Sequence, residues 1–230
     1  MKDKWWAKVL RIIGIVLMGL TAVFTLMGGI GTTCVALNPT GFSGSFSGIA
    51  PYQWLYILFV IVTTAFGVMG VRAVVLLIRN RPNAYRYSLI ALIGGSVVGV
   101  IHMLVSRSLR GSSMPVDMVT YVNLLTLVVF LIYRIPGLWE HIGYGRPHPS
   151  NTAGLAGGSA AIAMGAMCLT IQYFMGFTHT ITGVNYADVW HMPFQIAGWS
   201  LVIIGLSLVM WSAGLINHKA YLKEAAPASN

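Results

Sequence analysis

The sequence predicts an all-α integral membrane protein, a bundle of about six transmembrane helices with both ends in the cytoplasm, on three observations. Only 8% of the 230 residues are charged while 57% are hydrophobic, against about 25% charged in an ordinary soluble domain. Mean hydropathy is +0.76. The apolar residues form long runs, and most basic residues lie between those runs. So few charges cannot cover a soluble fold of this length, which leaves lipid as the solvent. Residues 1–230 read as a single transmembrane domain with no soluble domain left over.

A bilayer core takes about 20 apolar residues of helix. The first such run is 12–31, preceded by Lys2, Lys4, Lys8 and Arg11. That start resembles the n-region of a signal peptide. The run outlasts the roughly 7–15 residues of an h-region and lacks a small-residue cleavage site, so it is expected to be a retained span. The second span, 53–78, ends in the turn Arg79-Asn80-Arg81-Pro82-Asn83, and Arg72 near its end is expected to snorkel to the headgroups. The third is 85–106. The fourth, 117–133, stops at Arg134-Ile135-Pro136-Gly137. A cytoplasmic loop, 138–150, holds Pro147 and Pro149 before the fifth span, 152–174, and the sixth covers 194–216. Continuity of the runs argues for helices, because a lipid-exposed strand would alternate polar and apolar residues.

Orientation follows from lysine and arginine near the span ends. One side collects Lys2, Lys4, Lys8, Arg11, Arg72, Arg79, Arg81, Arg86, Arg134, Arg146, Lys219 and Lys223, and the other only Arg107 and Arg110. The basic side is the cytoplasmic one. Trp5, Trp6 and Trp139 then mark the inner interface, and Tyr52, Trp54 and Trp190 the outer. The net charge of +9 is thereby a topology signal. No basic face carries aromatic platforms, so nucleic acid is not an expected partner. A prokaryotic plasma (inner) membrane is the expected location.

Small residues let membrane helices approach closely. Gly95 and Gly99 in the third span, and Gly154 and Gly158 in the fifth, are four apart, and Gly157, Ala161 and Gly165 continue such a stripe. The third and fifth spans are therefore expected at the centre of the bundle. The segments 74–82 and 128–136 are also alike, each followed by a span containing Gly-Gly-Ser, which suggests duplicated hairpins 53–106 and 117–174.

Ionisable groups in hydrocarbon are costly and often mark function. His102 is the one histidine well inside a span, and shares a helix face with Gly95, Gly99 and Ser106. That face should look into the bundle, about one turn below the outer surface. The loop between the fifth and sixth spans carries His179, Asp188 and His191, with Asp188 placed to orient His191. Arg107, Arg110 and Asp117 lie on the same side, so all seven residues are candidates for one outer vestibule. The first outer loop, 32–52, has no charge and is expected to fold over the bundle.

Cys34 and Cys168 have no zinc-type spacing, no metal site is legible, and both are expected to be free thiols. Phosphate-binding, zinc-protease and nucleophile-elbow motifs are absent, as are carboxylates at mid-span, which argues against an enzyme or a proton-coupled pump. The leading expectation is a non-enzymatic subunit or scaffold of a membrane complex, partnered by lipid and other membrane subunits. The alternatives are a redox subunit holding b-type haem or quinone through His102 with His179 or His191, and a small-solute carrier or channel.

Overall fold

Uninterrupted apolar runs become long helices in a computed structural model that describes residues 4–41, 46–144, 151–175, 180–181 and 183–215. The long helices are α1 (Trp5–Leu37), α2 (Gln53–Ile78), α3 (Ala84–Arg110), α4 (Val116–Ile132), α6 (Asn151–Met175) and α8 (His191–Ser212), with short helices α5 (Leu138–Ile142) and α7 (Tyr186–Val189). Two 3-10 segments, Pro39–Gly41 and Ser47–Tyr52, lie between α1 and α2. A two-residue antiparallel ladder, β1 (Thr180–Ile181) with β2 (Val184–Asn185), precedes α7.

Helices α1, α2, α3, α6 and α8 are each long and apolar enough to cross a membrane. At 17 residues α4 is shorter, about 26 Å of helix, at the lower limit for a span. The outward faces are apolar, as with Ile57, Ile61 and Val68 on α2, or Ile196, Ile203 and Ile204 on α8. Much of the polar side-chain surface points inward. This inverts the soluble pattern and suits a lipid solvent.

Several expected boundaries move. The first helix continues through residues 32–37, expected as loop, and ends only at Asn38 ahead of Pro39; within it the Thr32 and Thr33 hydroxyls donate to the Gly28 and Gly29 carbonyls. The third runs to Arg110, since nothing before Gly111 breaks it. There a left-handed φ of 69° and an amide bond to the Arg107 carbonyl end the helix. At the other end of α3, Asn80 takes φ 51° in the predicted 79–83 turn, a conformation asparagine tolerates. The final helix starts at His191, ahead of Pro193, because proline within the first turn removes no helical hydrogen bond.

Packing also departs from expectation. Helix α1 is the hub, touching α2, α4, α5 and α6, whereas α6 packs chiefly on α8 and α1. The third and fifth spans are not jointly central, because the glycines of α6 face α8 at the side of the bundle: a Cβ at Gly158 would lie 2.7 Å from the Gly205 carbonyl oxygen. The two look-alike hairpins differ as well, since α2 packs on α3 while α6 turns to α1 and α8. Arg11, read as a flanking charge, is buried, with Nε donating to the Ile142 carbonyl at 3.0 Å. Around it Tyr133 and Tyr144 donate to the Leu10 and Arg11 carbonyls, in an aromatic cluster with Tyr85 and Phe130. Arg72 is exposed beside the Tyr87 ring. Cys34 and Cys168 are free.

Candidate functional site

Four helices build the site. On α3 the three- and four-residue steps put Gly95, Gly99, His102 and Ser106 on the inner face. On α4, Thr120, Asn123 and Thr126 recur every three residues, and all are buried. The glycines make room for these side chains: a Cβ at Gly99 would lie 2.8 Å from Thr120 Oγ1, and one at Gly95 would strike the Asn123 amide. Helix α1 contributes Thr21 and Thr25, and α2 contributes Tyr56 and Phe59.

Most of these polar groups are paired. Thr126 Oγ1 donates to the Val122 carbonyl at 2.9 Å, so in the 2.7 Å bond between Thr21 and Thr126 the Thr21 hydroxyl donates. Thr25 donates to the Thr21 carbonyl and Thr120 to the Val116 carbonyl. Tyr56 and Ser106 share a 2.8 Å hydroxyl bond. The His102 ring stacks on Phe59, centroids 4.3 Å apart, and meets Tyr56 edge-on. Yet His102 Nε2, Asn123 Oδ1 and Ser96 Oγ are buried with no partner among the described residues, His102 being only 4% and Asn123 3% exposed. Buried polar atoms are rarely left unpaired in native interiors, so each needs an account.

A cavity of about 30 Å³ supplies part of it, with His102, Asn123, Thr120, Thr25, Thr32 and Thr63 among its lining residues. A smaller one of about 10 Å³, lined by Thr21, Thr25 and Asn123, shares Gly95 and Phe66 with it and continues it into the bundle. A water needs roughly 10–15 Å³ of such space. The larger void therefore has room for one or two waters.

Beyond the cavity, at the far end of α3, Arg107 Nε donates to Ser113 Oγ at 2.8 Å. Its Nη2 reaches Asp117 Oδ2 at 3.1 Å and Tyr121 Oη at 3.2 Å. The Arg110 guanidinium lies 3.9 Å from the Phe46 ring centroid. Ile49 is buried in the same corner with Ala36 and Tyr56, so the described part of the first loop is folded onto the helix ends.

The structure thus gathers His102, Arg107, Arg110 and Asp117 at one end of α1–α4. Asp188 accepts from the Asn185 amide at 2.9 Å, and no ion pair joins it to His191 among the described residues. His191 begins α8, which packs on α6 and α7. His179 lies outside the described residues. Among the described residues no cluster of three metal-ligating side chains occurs. Missing from the sequence reading are Thr21, Thr25, Thr120, Asn123 and Thr126. Their signal was available: polar residues three or four apart on one face of an apolar helix. No protein-family model, curated protein or solved structure matches the chain.

Proposed function

We propose that the chain is a multi-pass protein of a prokaryotic plasma membrane, crossing six times with both ends in the cytoplasm. In this reading α1–α4 enclose a site in the outer half for a small polar solute, making the protein a carrier or channel and not an enzyme. The supporting observation is the buried His102 with its unpartnered Nε2 on a cavity whose largely apolar wall also carries Asn123 and the hydroxyls of Thr25, Thr32, Thr63 and Thr120. An ionisable group at that depth is a functional candidate by default. The absence of a mid-span carboxylate from the sequence favours passive movement over proton-coupled pumping.

The test is uptake by the purified full chain in sealed liposomes across a panel of small ions, polar neutral solutes and amines. Uptake above empty liposomes, reduced at least several-fold by His102→Ala, is expected. A panel indistinguishable from empty liposomes contradicts the reading.

A second reading, a subunit or scaffold of a membrane complex, is favoured by α6 and α8. This pair joins the other helices mainly through α1 and leaves broad apolar faces uncovered, including Trp199 and Ile203. A stoichiometric second chain retained in mild detergent supports it. A haem or quinone at His102 fits less well, because about 30 Å³ is far below the roughly 300–1,000 Å³ of small-molecule pockets.

A further inference from the structure

We infer that the guest at His102 is a neutral, water-sized hydrogen-bond donor, water itself or ammonia, and that the Arg107–Arg110 end of the site turns cations away. This inference rests on the carrier or channel reading and names its substrate class.

Size sets the first limit. The roughly 30 Å³ cavity accepts one or two molecules of water dimensions, since a water needs about 10–15 Å³ of that space. Hydrogen-bond bookkeeping sets the second. A threonine hydroxyl has one proton, and those of Thr25, Thr32 and Thr120 are given to the carbonyls of Thr21, Gly28 and Val116. These three cavity-lining side chains keep only lone pairs for a guest. Asn123 Oδ1, a pure acceptor, is buried and unpartnered beside them. The polar lining thus combines these acceptors with the donors Thr63 Oγ1 and Asn123 Nδ2, and His102 Nε2 serves as donor or acceptor according to its tautomer. A guest with both N–H or O–H groups and a lone pair satisfies it.

Charge sets the third limit. Among the described residues no carboxylate lines the cavity. An ion there would have to leave water for hydroxyl and amide dipoles alone, which is costly in an apolar interior. Beyond the cavity, the end of α3 carries two arginines against one carboxylate: Arg107 is paired with Asp117, while Arg110 is packed over Phe46. Arg110 stands eight residues beyond His102 on α3, about 12 Å along the helix. Neither arginine lines the cavity, so Arg110 acts through its field on the approach from that end, where a cationic side chain repels cations and lets neutral molecules by.

The full-length chain in liposomes, mixed rapidly with two gradients, tests this. An impermeant sucrose gradient reads water efflux by light scattering. An ammonium chloride gradient with a trapped pH dye reads ammonia entry as internal alkalinisation. We expect at least one of the two rates to exceed that of empty liposomes several-fold, with sodium and potassium flux unchanged. Asn123→Leu, which fills the cavity and removes its acceptor, is expected to return the rate to the empty-liposome value. Thr120→Val, close in shape, should lower it severalfold and decides the matter if the leucine variant aggregates. Carriage of sodium, potassium or ammonium ion overturns the inference, as does a rate that neither variant changes. If water and ammonia fail while another neutral solute enters through His102, this inference falls and the carrier reading stands. If nothing in either panel enters, both fall.

Discussion

His102, Asn123 and Thr126 each place a polar group inside an apolar bundle, but among the described residues only Thr126 finds a protein partner for it. Thr126 is paired with Thr21 across the α1–α4 contact. Such interhelical hydrogen bonds contribute about 0.6 kcal/mol on average and up to about 1.7. A double-mutant cycle of Thr21→Val and Thr126→Val, followed by unfolding in detergent, should return a coupling of that size. Strict additivity would count against the bond. Tyr144, outside the long helices, carries a pH prediction. Burial, with the neighbouring Tyr133 second, pushes its hydroxyl well above the usual tyrosine range. The folded state therefore holds this proton more tightly than the unfolded state. Stability from Tyr144 is complete below about pH 10 and declines as pH rises beyond it. Tyr144→Phe should flatten the alkaline slope of a stability curve, and an unchanged slope would contradict the assignment. His102 was legible because it is the one histidine well inside an apolar run, where an ionisable group is costly. Asn123 and the threonines were harder to see, because short polar side chains can hide in an apolar run by bonding their own helix, as Thr120 and Thr126 do.

Between helices, the contact of α6 with α8 is set by backbone proximity. A Cβ at Gly158 would come 2.7 Å from the Gly205 carbonyl oxygen, and one at Gly165 would come 2.7 Å from that of Gly198. Gly157, next in the chain, has nothing within 4 Å of its Cβ position. Gly158→Ala should therefore lower the thermal midpoint in detergent, with a cost of about 1–3 kcal/mol for overpacking. Gly157→Ala should raise stability by roughly 0.5–1 kcal/mol, through helix propensity alone. Equal effects would mean that the α6–α8 contact is not backbone-close. The sequence displays the small-residue stripe of α6 plainly. Its partner was less visible, because Gly198 and Gly205 are seven residues apart on α8 and so fall outside a four-residue pattern. Helix ends were the least legible. Charges at Arg107 and Arg110 suggested a stop, whereas helix α3 ends only at Gly111, where the backbone can turn left-handed.

Across the molecule, composition carried the membrane class and the positions of the long helices, because lipid demands long apolar helices and little else does. It did not carry which helix is central. That depends on which faces match, and α1 became the hub through contacts as unlike as Gly29 with Thr64 and Arg11 with Ile142. The central claim is one of sidedness: a basic face toward the cytoplasm and the His102 site opening opposite. Its most direct test replaces Cys34 and Cys168 by alanine, introduces a single cysteine at Asn83 or Ser112, and labels intact cells with a membrane-impermeant maleimide. The account predicts reaction at residue 112 in intact cells, and at residue 83 only after permeabilisation. Reaction at both positions in intact cells, or at residue 83 alone, would contradict it.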